Sequence, residues 1–182
     1  MEHAPEPQAS LLPNAEALLE LERRSRSLGT GLEAEELLGA WQLVQTWPKG
    51  QNEPAAASAW LLRSLAAQLR IEAGPSPGQL RLANRVSLGA LSLEFSGQGQ
   101  LKGRRPLLVF WFERLQLQLG SLKLLDRAIA KPEPAKLPFF ALIARGQDRD
   151  GEGLAARQWL AARGRGGGLA LWCLPGPEPE GP

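Results

Sequence analysis

Few side chains in this 182-residue chain could do covalent chemistry, and their types and spacing exclude most of it. The only histidine is His3, beside Pro5 and Pro7, and the only cysteine is Cys173. One of each is too few for a His/Cys metal site, and the same scarcity argues against a histidine base for a nucleophile. Carboxylate chemistry stays open. Asp148, Asp150 and Glu152 alternate as calcium ligands do, but their loop falls short of the roughly six to eight oxygens calcium takes, so a solvated turn is expected. Arg163-Gly164-Arg165-Gly166-Gly167-Gly168 invites comparison with arginine–glycine segments that bind RNA. Those are long, repeated and interleaved with stacking aromatics, whereas this is one copy between two apolar runs. It is expected to be a glycine-rich hairpin turn with surface arginines, open to lipid phosphates and replaceable by Gln within about half a kcal/mol. It also lacks the Lys-Ser/Thr of a phosphate-binding loop. Cys173 reads as a small buried strand residue. No catalytic residue, metal ligand or cofactor is expected.

Charge narrows the partners. Residues 1–40 hold eight acids against three arginines, a net −5, while residues 41–174 hold eighteen Lys and Arg against nine Asp and Glu, a net +9. A basic domain suits an anionic membrane, a nucleic acid or an acidic protein. With the arginine–glycine segment read as a turn, no nucleic-acid partner is expected. No apolar run approaches the roughly 18 residues of a membrane span, so attachment to a membrane would be peripheral. The opening residues lack the pattern of a signal peptide, their glutamates argue against a transit peptide, and one cysteine fits a reducing compartment.

The elements that must position these residues are mostly strands. Leu91, Leu93 and Phe95 alternate with polar residues, as do Leu115, Leu117 and Leu119, and a period of two puts each set on one face. That face is uniformly apolar and is expected to be interior. Gly120-Ser121 suits a two-residue hairpin pairing Leu119 with Leu122 and Leu117 with Leu124. Gly97-Gln98-Gly99 reads as a three-residue loop pairing Phe95 with Leu101. Leu107 to Phe112 is apolar at every position and is expected to be covered on both faces. Trp41 to Trp47 reads as the first strand, and Phe139–Ala144, 155–162 and 169–174 as the last three.

Two helices are expected ahead of the sheet. One runs from an Asn14 cap to about Leu28 with a stripe of Leu18, Leu21 and Leu28; the other opens on a Thr30/Glu33 capping box. They are expected to cover one end of the sheet. Residues 57–71, with Leu61, Leu65 and Leu69 four apart, read as an amphipathic helix between the first and second strands. Residues 1–13 and 175–182 are Pro-rich tails, expected to be disordered, around one domain over 14–174. The fold class is therefore mainly β, an antiparallel barrel of eight or nine strands with N-terminal helices and one inserted helix. An eight-stranded barrel is just wide enough for one small ligand. Trp111 and Trp159 could face either such a cavity or a packed core.

Three segments together resemble the plastid lipid-associated protein, or fibrillin, family. They are Leu37-Leu38-Gly39-Ala40-Trp41-Gln42-Leu43-Val44-Gln45-Thr46, then Asn84-Arg85-Val86, then Trp159 to Trp172 with its Arg-Gly turn. Their order and spacing agree with the family over residues 30–174. The chain departs from the family at Gln158 and Leu160, where acidic residues and another arginine are usual. Lacking a transit peptide, it looks like a cyanobacterial member. The resemblance implies a lipocalin-like barrel that binds an apolar lipid or isoprenoid, of carotenoid or quinone type, at thylakoid membranes.

Two functions of different class follow. In one, the barrel is a non-catalytic binding protein with Leu91, Leu93, Phe95, Leu115, Leu117, Leu119, Trp111 and Trp159 as ligand contacts and Arg163 and Arg165 as membrane or polar contacts. In the other it is a phycobiliprotein bilin lyase, another lipocalin-like enzyme, whose tetrapyrrole propionates would require inward-pointing Arg81, Arg85 or Arg114. A ligand-free assembly factor with a filled barrel is a third reading.

Overall fold

The computed structural model describes residues 12–51, 68–148 and 157–175. These form helix α1 (Ala15–Leu28) and nine strands: β1 (Gly39–Trp47), β2 (Gln68–Ala73), β3 (Gln79–Leu88), β4 (Leu91–Lys102), β5 (Leu107–Leu119), β6 (Leu122–Ala128), β7 (Phe139–Asp148), β8 (Arg157–Gly164) and β9 (Leu169–Cys173). Every pairing is antiparallel, in the order β4-β3-β2-β1-β9-β8-β7-β5-β6, and a further β4–β5 pairing closes the sheet in a ring.

The ring contains eight of the nine strands. β5 pairs with β7 only at Leu107–Val109; from Arg114 onward it pairs with β6 instead. Among the described residues β6 pairs with β5 alone, so the ends of β3, β4, β5 and β6 run past the ring as an open sheet.

Two apolar clusters result, one on each side of the wall. The inner one holds Trp41, Leu69, Ile71, Leu80, Leu82, Leu108, Phe110, Leu142, Leu160 and Trp172. Leu32, Ala34 and Leu37, from the segment before β1, pack on it and cover that end; Trp41 Nε1 donates to the Leu37 carbonyl at 2.8 Å. The outer one places α1 over β7, β8, β9 and the far half of β1, burying Leu18, Trp47, Ile143, Ala161, Leu169 and Leu171.

β-Bulges make both clusters possible. Strict alternation would put Trp41 and Trp47 on one side, but a register shift between Leu43 and Gln45 reverses the phase. Trp41 then points in and Trp47 out, under the helix. A second shift, between Leu142 and Ala144, does the same in β7.

Several local expectations are corrected. β4 is one uninterrupted strand, so Gly97-Gln98-Gly99 is not a loop and Phe95 pairs with Leu115 rather than Leu101. Gly97 serves close approach instead: a Cβ there would lie 2.0 Å from the Trp111 carbonyl oxygen, beside a bulge in β5. The real turn before β4 is Gly89-Ala90, pairing Leu88 with Leu91. At Gly120, φ is +57°, as a two-residue hairpin requires, and Leu119 pairs with Leu122. A bulge then puts Leu125, not Leu124, opposite Leu117.

The helical segments differ as well. Asn14 caps α1, its Oδ1 accepting from the Ala17 N–H at 2.9 Å, and Gly29 ends it. The buried stripe, however, is Ala15, Leu18, Glu22 and Ser25, while Leu28 is exposed. The helix covers an outer face of the sheet rather than its end. Thr30 accepts from Leu32, Glu33 donates its N–H to Glu36, and only a 3-10 turn forms at Glu35–Leu37. The expected helix over 57–71 lies outside the described residues except for its last four positions. Those are strand, with Leu69 buried opposite Trp41.

Candidate functional site

Inside the ring, toward the end away from Leu37, is a cavity of about 390 Å³. Its lining is Leu43, Gln68, Leu69, Asn84, Val86, Phe110, Phe112, Phe140, Ala170 and Trp172. Among the described residues no charged side chain borders it, and Gln68 and Asn84 are its polar members. Aromatic rings form a continuous row along one wall. Phe95 and Phe112 lie 5.4 Å apart, Phe112 and Phe110 5.5 Å, Phe110 and Phe140 5.1 Å, and Phe140 and Trp172 5.3 Å. Pairs at such spacing are attractive beyond the area they bury, so the wall keeps its shape without a ligand. Its volume and its few amide groups match small-molecule sites, which are mostly apolar with a few orienting polar groups.

A larger hollow, about 980 Å³, lies on the outer face among Arg70, Glu72, Arg81, Glu113, Arg114 and Asp126. Four of its six charges pair, Arg70 with Glu72 at 3.0 Å and Arg114 with Asp126 at 2.5 Å, and Glu113 accepts from Gln98 and Trp111. The Asp126 carboxyl sits well below its ordinary range, chiefly through the Arg114 hydrogen bond. Open to water and internally neutralised, this hollow offers a ligand less than the smaller inner one.

Leu91, Leu93, Phe95, Leu115, Leu117 and Leu119 do share one face, as cross-strand pairs Leu91–Leu119, Leu93–Leu117 and Phe95–Leu115. It is the cavity side, since Leu93 also pairs with the cavity-lining Val86. The face is not uniformly interior. Phe95 reaches the aromatic row, Leu93, Leu115 and Leu117 are half-buried, and Leu91 and Leu119 are exposed. Past the ring no described strand or helix stands opposite to cover them.

Trp111 and Trp159 point away from the cavity. Phe110 and Phe112 take the inward positions, so Trp111 faces out, with Lys131 Nζ 3.5 Å over its ring and its Nε1 donating to Glu113 at 3.0 Å. Trp159 packs in the outer cluster against Gly146, its cross-strand neighbour. Arg81, Arg85 and Arg114 also lie on the outer face, opposite Gln98, Glu94 and Ser96, and among the described residues no arginine borders the cavity. Cys173 is buried in β9.

Arg163 and Arg165 occupy a hairpin, closed by Gly164 N–H to Gly168 O at 3.0 Å, but they are not idle surface groups. Arg165 donates to the carbonyls of Leu137 and Ala135. Arg163 donates to the Gly167 carbonyl and forks onto Glu22 of α1, at 2.7 Å from Nε and 2.5 Å from Nη2. Glu22 is 2% exposed and also accepts from Arg26 at 3.0 Å and Arg105 at 2.9 Å. Burial pushes its carboxyl pKa up; hydrogen bonds and charge from Arg163 and Arg26 outweigh that and hold it at about 2. This network pins helix, closing hairpin and the β4–β5 turn together.

The cavity residues missed by sequence reasoning are chiefly Phe110, Phe112, Phe140 and Trp172. Leu107 to Phe112 is apolar at every position, so its inward phase carries no signal. Among the described residues there is no group of three or more potential metal ligands, and no helix is long and apolar enough to cross a membrane. Comparison with protein-family models, with curated proteins and with solved structures finds no match to this chain.

Proposed function

We propose that the chain is a non-catalytic, lipocalin-like barrel that holds an apolar lipid or isoprenoid, of carotenoid or quinone type, at or near a photosynthetic membrane. The observation that carries this reading is the inner cavity, about 390 Å³, walled by aromatic rings and bordered by no charged side chain among the described residues. Such a lining favours a ligand through the apolar area it removes from water, at roughly 25 cal/mol per Å². Asn84 and Gln68 would orient a carbonyl or hydroxyl at its edge. The volume suits one ring or one chain segment. The remainder of a longer isoprenoid would lie along Leu93 and Leu117 toward solvent. The site of action follows from the resemblance to the fibrillin family together with the basic balance of residues 41–174.

Purification of the full chain from a pigmented host, then solvent extraction and mass spectrometry, tests the proposal. A stoichiometric isoprenoid or lipid is expected, and it should be displaced when Ala170→Phe fills the cavity. An empty protein from a host rich in these molecules, also failing to take up added quinone or carotenoid, would refute it.

A further inference from the structure

The open sheet beyond the ring ends in two hairpin turns held side by side. Gly89-Ala90 joins β3 to β4, Gly120-Ser121 joins β5 to β6, and the Gly120 N–H donates to the Ala90 carbonyl at 2.7 Å. Leu88, Leu91, Leu119, Leu122, Leu124 and Leu125 surround these turns and are exposed, Leu122 at 61% and Leu88 at 58%. Residues 87–93 and 115–122 contain no charged side chain. Immediately behind stand Arg85, Arg114, Lys123 and Arg127 against Glu94 and Asp126, a net +2.

We infer that the twin hairpin tip is a docking surface for an anionic lipid bilayer, with the leucines entering the interface and the basic collar resting among the headgroups. The inference rests on the cavity reading above and gives that cavity an orientation, because the tip lies on the continuation of its inner face. Apolar residues flanked by Lys and Arg are how surface-seeking elements enter the outer part of a bilayer. Backbone groups resist deep entry unless paired; at the tip β4 and β5 are paired on both sides and the two turns bond each other, while the open edges of β3 and β6 keep the insertion shallow, at headgroup level. Charge separates this occupant from a second copy. Two tips would bring collars of the same sign together, whereas an anionic surface attracts one.

The full chain should float with vesicles of mixed phosphatidylglycerol and phosphatidylcholine. The Leu88→Ser/Leu122→Ser pair should bind roughly tenfold or more weakly, since each substitution removes a leucine's worth of buried area. Leu28→Ser, an equally exposed leucine at the opposite end by the β4–β5 turn, should bind like the parent chain. Leu122→Trp should shift its emission to the blue on vesicles and be quenched by brominated acyl chains. Equal binding by the paired variant, an unquenched Leu122→Trp, or no flotation by the parent chain would overturn the inference. So would a paired variant that melts well below the parent, since its own chain would then cover the leucines, or one that converts a parent dimer to a monomer. The variants also separate the two readings. Flotation by a chain with no extractable ligand defeats the cavity reading alone, while loss of flotation as expected with ligand retained shows the tip acting independently of the cavity.

Discussion

Glu22 and Arg163 stand 141 residues apart in sequence and form a two-point ion pair, with contacts of 2.7 and 2.5 Å, beneath helix α1. Arg163 sits in what reads from the sequence as a solvent-facing turn, but it is the main partner of a buried carboxylate. Removing Arg163 takes away the two-point partner of Glu22 and leaves it Arg26 and Arg105, and removing the carboxylate leaves three clustered arginines without their shared anion, each at a cost of about 3 kcal/mol. Arg163→Gln and Glu22→Gln should each lower stability by about that much in urea unfolding. Arg165→Gln, losing only exposed bonds to two carbonyls, should cost under about 1 kcal/mol. A near-neutral Arg163→Gln would mean α1 is held by its apolar stripe alone.

The same carboxylate makes stability depend on pH. Its folded pKa is about 2 against an ordinary 4.5, so the folded state releases the proton more readily than the unfolded state. The stabilisation is fully present above about pH 4.5 and is lost as pH falls from there toward 2. Urea midpoints measured from pH 6 to pH 2 should drop for the parent chain, and should drop less for Glu22→Gln.

Gly97 gives a sharp steric test. A side chain there meets the Trp111 carbonyl and the Phe112 Cα, both backbone, which cannot move aside without breaking the bulge. Gly97→Ala should cost about 2 kcal/mol or more, as overpacking does. Were Gly97 in a flexible loop, alanine would be tolerated, so thermal melts separate the two arrangements.

The inner face should lose importance along its length. Leu82→Asp, at a fully buried ring position, should cost more than about 4 kcal/mol or prevent folding. Leu117→Asp, half-buried past the ring, should cost about 1–2 kcal/mol, and Gln118→Asp well under 1. Equal melting temperatures for Leu82→Asp and Leu117→Asp would contradict the departure of β5 from β7 after Val109.

Alternation in 91–95 and 115–119, the Gly120 turn and the Asn14 cap are local signals, and they suffice for a mainly antiparallel sheet with a helix before it. The pairing of Leu119 with Leu122 follows because turn and pattern share one register, whereas Leu91 meets Leu119 only because β4 runs uninterrupted through Gly97–Gly99, against the local turn signal. Three things were decided only by the assembled chain. The bulges that send Trp41 inward and Trp47 outward arise from fitting two apolar layers to one strand, and residue types within the strand do not announce them. The exchange of partners along β5, from β7 to β6, leaves a uniformly apolar face interior at one end and exposed at the other. The tie between Glu22 and Arg163 needs the helix folded onto the last hairpin, and no spacing in the sequence encodes a contact between segments so distant. Periodicity tells a side chain which face it takes; only the neighbouring strands and helix determine what lies opposite that face.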